Sequence, residues 1–262
     1  MGSQLHDYGK RVAELISSGQ STSRGQVPLG TFHNDGKNEF VWAHTSDTDH
    51  EEGAVLACDA YLHSSVSLVS GMFASATGRW GGVGSKHIRL YSAVAVGSAE
   101  KFQDGTFEIP SGTGVGHVFK VNTVTVGAAG ARSIIHLDEA VDVAIGTGTY
   151  ARLRPNKYYG CRMAGKLTQP GLGVLAGACT VSGTTSGYQL LQRLGLGMAI
   201  AEGTTVSGVL LGIADSGQLS TAFLASNTTA GINLVPVARG MGGKAGAAGK
   251  YFPVEWLIGR NI

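Results

Sequence analysis

The hydrophobic positions of the chain fall into two textures. Over residues 4–18 they recur at helical spacing: Leu5, Tyr8, Val12, Leu15 and Ile16 share one face, with Lys10, Arg11 and Glu14 turned away. The spacing predicts an amphipathic helix. Gly9 weakens its middle by about 1 kcal/mol relative to alanine, so this helix needs a partner to dock on. The polar run at 19–25, Gly-Gln-Ser-Thr-Ser-Arg-Gly, reads as a flexible linker. Residues 1–25 therefore form an arm that either reaches a neighbour or folds back on its own domain.

From residue 26 the pattern changes to short apolar runs rich in β-forming residues, with glycine and aspartate between them. Strands are expected over 39–44, 53–58, 66–69, 88–96, 106–109, 118–126, 133–137 and 149–153. The series continues over 173–181, 188–192, 205–213, 232–238 and 251–258. No later segment keeps a helical period. Pro155 and Gly160 mark a boundary, because proline disfavours a central strand. The expectation is a mainly β protein: a β-barrel or sandwich, an inserted second β unit and an N-terminal helical arm. The main domain is assigned to 26–70 with 155–262, and the insertion to 71–154.

Composition sharpens this in one direction. The 41 glycines are roughly twice average usage, and the charged fraction of 15% lies well below the usual ~25%. A surface so poor in charge is suited to facing other protein. Net charge is only +2. The densest basic cluster, Arg152, Arg154, Lys157 and Arg162, reads as a solvated strand face, so no nucleic-acid partner is expected. Cys58, Cys161 and Cys179 have neither an even count nor a C-x-x-C spacing, which argues against a disulfide framework and a zinc site. They read as small buried hydrophobes. No signal peptide and no membrane-length apolar stretch is recognised, so synthesis in the cytoplasm is expected and a membrane partner is not.

Gly112-Thr-Gly-Val-Gly116 enters a strand, whereas a phosphate cradle needs a helix N-terminus after its glycines. Gly243-Lys-Ala-Gly-Ala-Ala-Gly-Lys250 lacks the first glycine of a P-loop and has Tyr251 where Ser or Thr belongs. Both read as hairpin loops. In the stretch 44–52, Asp47, Asp49 and Glu51 alternate as calcium ligands do. However, Glu52 occupies the glycine position and Cys58 the closing glutamate position. This stretch reads as an exposed acidic turn, in which single changes at His44, Asp49 or His50 leave folding nearly unchanged. Asp138, Glu139 and Asp142 read as the blunt end of a strand rather than a carboxylate pair for glycoside hydrolysis. No nucleophile elbow is present, and the eight histidines lack metal-ligand spacing. No catalytic residue, cofactor or metal is expected.

A more specific signal comes from Phe102-Gln-Asp-Gly-Thr-Phe-Glu-Ile109 and Gly112-Thr-Gly-Val-Gly-His-Val-Phe-Lys-Val-Asn122. They are followed in order by Ile134-Ile-His-Leu-Asp-Glu139 and Ala151-Arg-Leu-Arg-Pro-Asn-Lys-Tyr-Tyr-Gly160. With Asp35-Gly-Lys-Asn-Glu-Phe-Val-Trp-Ala43, Glu52-Gly-Ala-Val-Leu56, Gly187-Tyr-Gln-Leu-Leu-Gln-Arg-Leu-Gly195 and Gly249-Lys-Tyr-Phe-Pro-Val254, they resemble tailed-phage virion proteins of the capsid decoration, cement or head-fibre type. The resemblance spans about residues 30–258. It implies a non-enzymatic protein on the capsid surface of the virion, bound to the major capsid protein and to copies of itself as a homo-oligomer such as a trimer. A tail, collar or fibre subunit is the alternative within that class, and a carbohydrate- or surface-binding module the alternative outside it. The candidate interface residues are Leu5, Tyr8, Val12, Leu15 and Ile16.

Overall fold

The structure, a computed structural model, describes residues 20–22, 25, 27–46, 50–58, 66–68, 81–91, 99–125, 132–145, 149–163, 174–183, 186–203, 208–213, 217–220, 236–241 and 248–258. The expected helix over 4–18, with Leu5, Tyr8, Val12, Leu15 and Ile16, lies outside these residues. So do Asp47 and Asp49.

In chain order the strands are β1 (Phe32–Asn34), β2 (Glu39–Thr45), β3 (Val55–Cys58), β4 (Val66–Leu68), β5 (His87–Tyr91), β6 (Thr106–Ser111), β7 (Val118–Thr125) and β8 (Arg132–Leu137). Then come β9 (Tyr150–Arg154), β10 (Cys161–Met163), β11 (Val174–Cys179), β12 (Gly187–Ile200), β13 (Leu210–Ile213), β14 (Leu219–Ser220), β15 (Ala238–Gly240) and β16 (Tyr251–Leu257). One helical turn, α1 (Ala99–Phe102), precedes β6. The protein is mainly β, with a barrel and a second sheet.

The chain divides into two compact units, Met1–Asp59 with Tyr158–Ile262, and Ala60–Lys157. The boundaries expected at 70/71 and 154/155 thus move to 59/60 and 157/158. The reason is hydrogen bonding: β4 pairs with β9 in the second unit's sheet, and Asn156 Nδ2 donates to the Asp104 carbonyl there at 3.0 Å.

In the first unit, β2, β10, β3, β11 and β12 neighbour one another in that order, and β12 returns to β2. Five strands close into a barrel. Closure removes the unpaired edges that an open sheet would present. β2 is buried along nearly its whole length on both faces, which explains why it reads as an unbroken apolar run instead of an alternating one. Register places Val41, Ala43, Thr45, Leu56, Cys58, Cys161, Gly177, Cys179, Gln189 and Leu191 on one face. They are mostly small, as the narrow bore of five strands requires. At Gly177 an added Cβ would lie 2.8 Å from the Leu191 Cβ, so glycine sets the approach of β11 to β12. The opposite face carries Phe40, Trp42, Tyr188 and Leu190, packed with Val27, Leu29 and Tyr158.

Cys58 and Cys161 stand directly opposite each other on β3 and β10, with Cα atoms 4.3 Å apart, and form a disulfide. This corrects the expectation that all three cysteines are simple buried hydrophobes. Only Cys179 keeps that role. The bond joins the strand that leads into the second unit to the strand that leaves it.

Beyond a register shift between Gln192 and Leu194, β12 leaves β2 and continues against β16. β15, β13 and β14 extend this wing. Its core gathers Val55, Ala199, Leu211, Leu219, Val237, Phe252, Val254 and Trp256.

The second unit is a six-stranded antiparallel sheet in the order β4-β9-β6-β7-β8-β5. β7 alternates exposed and buried positions, sending Phe119, Val121 and Val124 inward. They meet Phe102 of α1, Phe107 and Ile109 of β6, Ile135 and Leu137 of β8, and Leu153 of β9. Pro110 falls at the register shift between Glu108 and Ser111, where a missing N–H does not break the ladder.

Candidate interaction surface and buried polar clusters

Three arrangements of side chains stand apart from simple packing. The first is an apolar stripe on the wing. Register aligns Leu196 with Glu255, Met198 with Pro253 and Ile200 with Tyr251, while Met241 donates its N–H to the Pro253 carbonyl at 2.9 Å. Leu196, Met198, Tyr251 and Met241 are 66%, 42%, 50% and 38% exposed, and Pro253 is exposed beside them. This is a contiguous run of large apolar groups held outward by a regular ladder. Scattered exposed hydrophobes are ordinary, but a row of them on one face marks a contact surface.

Polar groups border the stripe. On one side the Arg239 guanidinium lies 3.8 Å from the Glu255 carboxylate, in an exposed pair of little energetic weight. On the other, Glu51 and Glu52 lie near Tyr251. Partial burial, followed by the charges of Glu51 and Glu52, pushes its phenol above the ordinary range. Gly53 makes this edge possible: its φ is +76°, and an added Cβ would lie 2.7 Å from the Met198 carbonyl oxygen. An apolar centre with a polar rim is the anatomy of a protein–protein interface.

The second arrangement closes one end of the barrel. His50 is 2% exposed and exchanges two backbone hydrogen bonds with Gly183, at 3.1 and 2.9 Å. The Gln189 side-chain amide donates to His50 Nε2 at 2.6 Å. Gln20 Nε2 donates to Thr45 Oγ1 at 3.1 Å, which in turn donates to the Gly187 carbonyl. His44 stacks on Tyr159 with ring centroids 4.3 Å apart and meets Tyr188 edge-on. Gly183 is required here, since an added Cβ would strike the His50 ring.

The expectation that His44 and His50 belong to an exposed turn is therefore corrected. Glu51 and Glu52 do face solvent, but both imidazoles are buried and hold strand ends together. The linker expected over 19–25 is corrected in part as well. Ser21 exchanges hydrogen bonds with Tyr188 at 2.8 and 2.7 Å, so the chain is already pinned to the barrel at Gln20 and Ser21.

The third arrangement is a histidine pair on the second unit, His87 and His136, directly opposite on β5 and β8. Of the motifs weighed in the sequence, Gly112–Gly116 does form a turn between β6 and β7, with positive φ at Gly112, Gly114 and Gly116. Asp142 lies 3.5 Å from His117, while Lys120 pairs with Asp138 at 3.0 Å. Among the described residues no group of three or more His, Cys, Asp or Glu is arranged to hold a metal.

Comparison of the chain with known protein families, with curated proteins and with solved structures finds no match.

Proposed function

We propose that the protein is a structural component of a virus particle, a capsid decoration or cement protein of a tailed-phage head that binds the outer shell as an oligomer. The observation that carries the proposal is the apolar stripe Leu196–Met198–Met241–Tyr251–Pro253 with its polar rim, on a surface of low charge. Four side chains about half exposed offer roughly 3–6 kcal/mol of burial before the costs of association. That alone falls short of those costs, so the contact must draw on surface around the stripe and on the many copies bound to one shell; a stable contact of this kind buries about 1,200 Å² or more. The sequence resemblance to decoration and head-fibre proteins points the same way. The amphipathic arm would add a second contact.

The test compares the full chain with the double variant Leu196→Glu/Met198→Glu and with a chain lacking residues 1–18. The deletion stops short of Gln20 and Ser21, which belong to the barrel's bonding. Sedimentation measures the oligomer, and occupancy is measured on undecorated heads. The stripe variant is expected to keep its circular dichroism spectrum and lose oligomer or head occupancy. Unchanged assembly on both counts overturns the assignment of the stripe, and failure of the full chain to bind heads overturns the function.

A further inference from the structure

His87 and His136 occupy one cross-strand position on β5 and β8. Their Nδ1 atoms are 2.9 Å apart, with ring centroids 4.8 Å apart and ring planes at 81°. The far nitrogen of His136, Nε2, is 3.2 Å from the Thr125 hydroxyl of β7. His87 is exposed and His136 half-buried, so solvent reaches the pair.

We propose that His87 and His136 form a two-imidazole site for a divalent transition ion of the Cu²⁺ or Ni²⁺ class. The separation supplies the first argument. Imidazole nitrogens bind such ions at about 2.05 Å. Two such bonds at a right angle place their nitrogens about 2.9 Å apart, whereas a tetrahedral angle requires about 3.3 Å. The pair matches the right-angled neighbours of a six-coordinate tetragonal shell. Waters would complete the shell.

Proton placement supplies the second argument. At this separation one Nδ1 donates to the other; on metal binding that proton is exchanged through solvent onto the same ring's Nε2, and the ion takes its place between the two Nδ1 atoms. In the tautomer whose Nε2–H donates to Thr125 Oγ1, the lone pair of His136 Nδ1 is directed at the site. This is the outer hydrogen bond that ligating histidines use to fix their tautomer. Arg89 shares this face two residues along β5 and opposes any cation, so the site suits the tightest-binding ions of the series. β5 is the edge strand of its sheet, and an ion here would fasten that edge to β8.

The experiment titrates NiCl₂ into the full chain, following heat by calorimetry and the imidazole carbon-bound proton resonances by NMR. The expected result is one ion per chain, with paramagnetic broadening of His87 and His136 ahead of the other six histidines. His87→Gln and His136→Gln should each weaken binding at least about tenfold. Thr125→Val, which leaves both ligands in place, should cost about tenfold through the lost outer bond. Cu²⁺ should bind more tightly than Ni²⁺. Broadening that begins at other histidines, the absence of saturation, or undiminished affinity in His87→Gln overturns the site. The resonance pattern of the unsubstituted chain decides even where a variant fails to fold.

Discussion

Consider breaking the Cys58–Cys161 bond by reduction, which leaves every side chain in place and isolates the cross-link from packing. The bonded cysteines are separated by 103 positions, and the span between them contains the whole second unit. A loop of about 100 residues closed in a fully unfolded chain corresponds to about 4.7 kcal/mol at 25 °C. That figure assumes that everything between the cysteines unfolds. The second unit has its own core, from Ile88 to Leu153. If it stays folded while the barrel opens, its folded body already closes most of the loop. Only short connections then remain free, and about 15 residues correspond to about 3 kcal/mol. The assay is urea unfolding of oxidised and reduced protein at 25 °C. In a Trp80→Phe background, which removes the tryptophan of the second unit, fluorescence follows the barrel and wing through buried Trp42 and Trp256, and far-ultraviolet circular dichroism follows the whole chain. A loss near 4.7 kcal/mol in a single transition means that both units unfold together. A loss near 3 kcal/mol with a second transition means that the insertion is autonomous. A loss below about 1 kcal/mol, with three titratable thiols in the denatured unreduced chain, would refute the reasoning.

Other outcomes follow from the same structure. His50→Ala leaves the Gln189 amide without this partner in a buried site and should cost about 1–3 kcal/mol in urea; a cost near zero returns His50 to the surface. Gly53→Ala forces a side chain into a left-handed backbone against the Met198 carbonyl and should cost about 1–3 kcal/mol, whereas Gly36→Ala, with a φ of +89° but open space, should cost less. His136 titrates below its unfolded value, so the unfolded chain takes up its proton first as pH falls. Stability should therefore decline from just above pH 6.5 downward to the folded value, and His136→Gln should flatten that slope in thermal melts.

Much of the strand content was legible in the sequence. β2, β3 and β7 appear as runs of β-forming residues, and the division into a main unit and an insertion follows from where those runs resemble each other. Other features were hidden for physical reasons. Gly195 and Gly197 look like the end of a strand after Gln192, yet β12 continues through them. An added Cβ at Gly195 would meet Asn38, and one at Gly197 would meet Gln192 and Trp256, so these glycines record close packing rather than a turn. The disulfide and the His87–His136 pair join residues far apart in the chain, and only strand register brings them together. No local spacing encodes that. A polar stretch carries no local sign that single members of it are buried: His44 and His50 pack at the barrel end, while Glu51 and Glu52 beside them face solvent.

The length of β12 has a mechanical consequence. Its first half is bonded to β2 through seven register pairs, and its second half to β16 through seven more. The outward residues Leu196 and Met198 sit on that second half. A pull on them directed along the strand is carried to the barrel by one covalent backbone, and each ladder is loaded in shear, with its rungs sharing the force. A pull perpendicular to the strand would instead open the rungs one at a time, beginning at Ile200. The ladders thus have a stiff axis and a soft one, and whatever grips the stripe holds best when it tugs along β12.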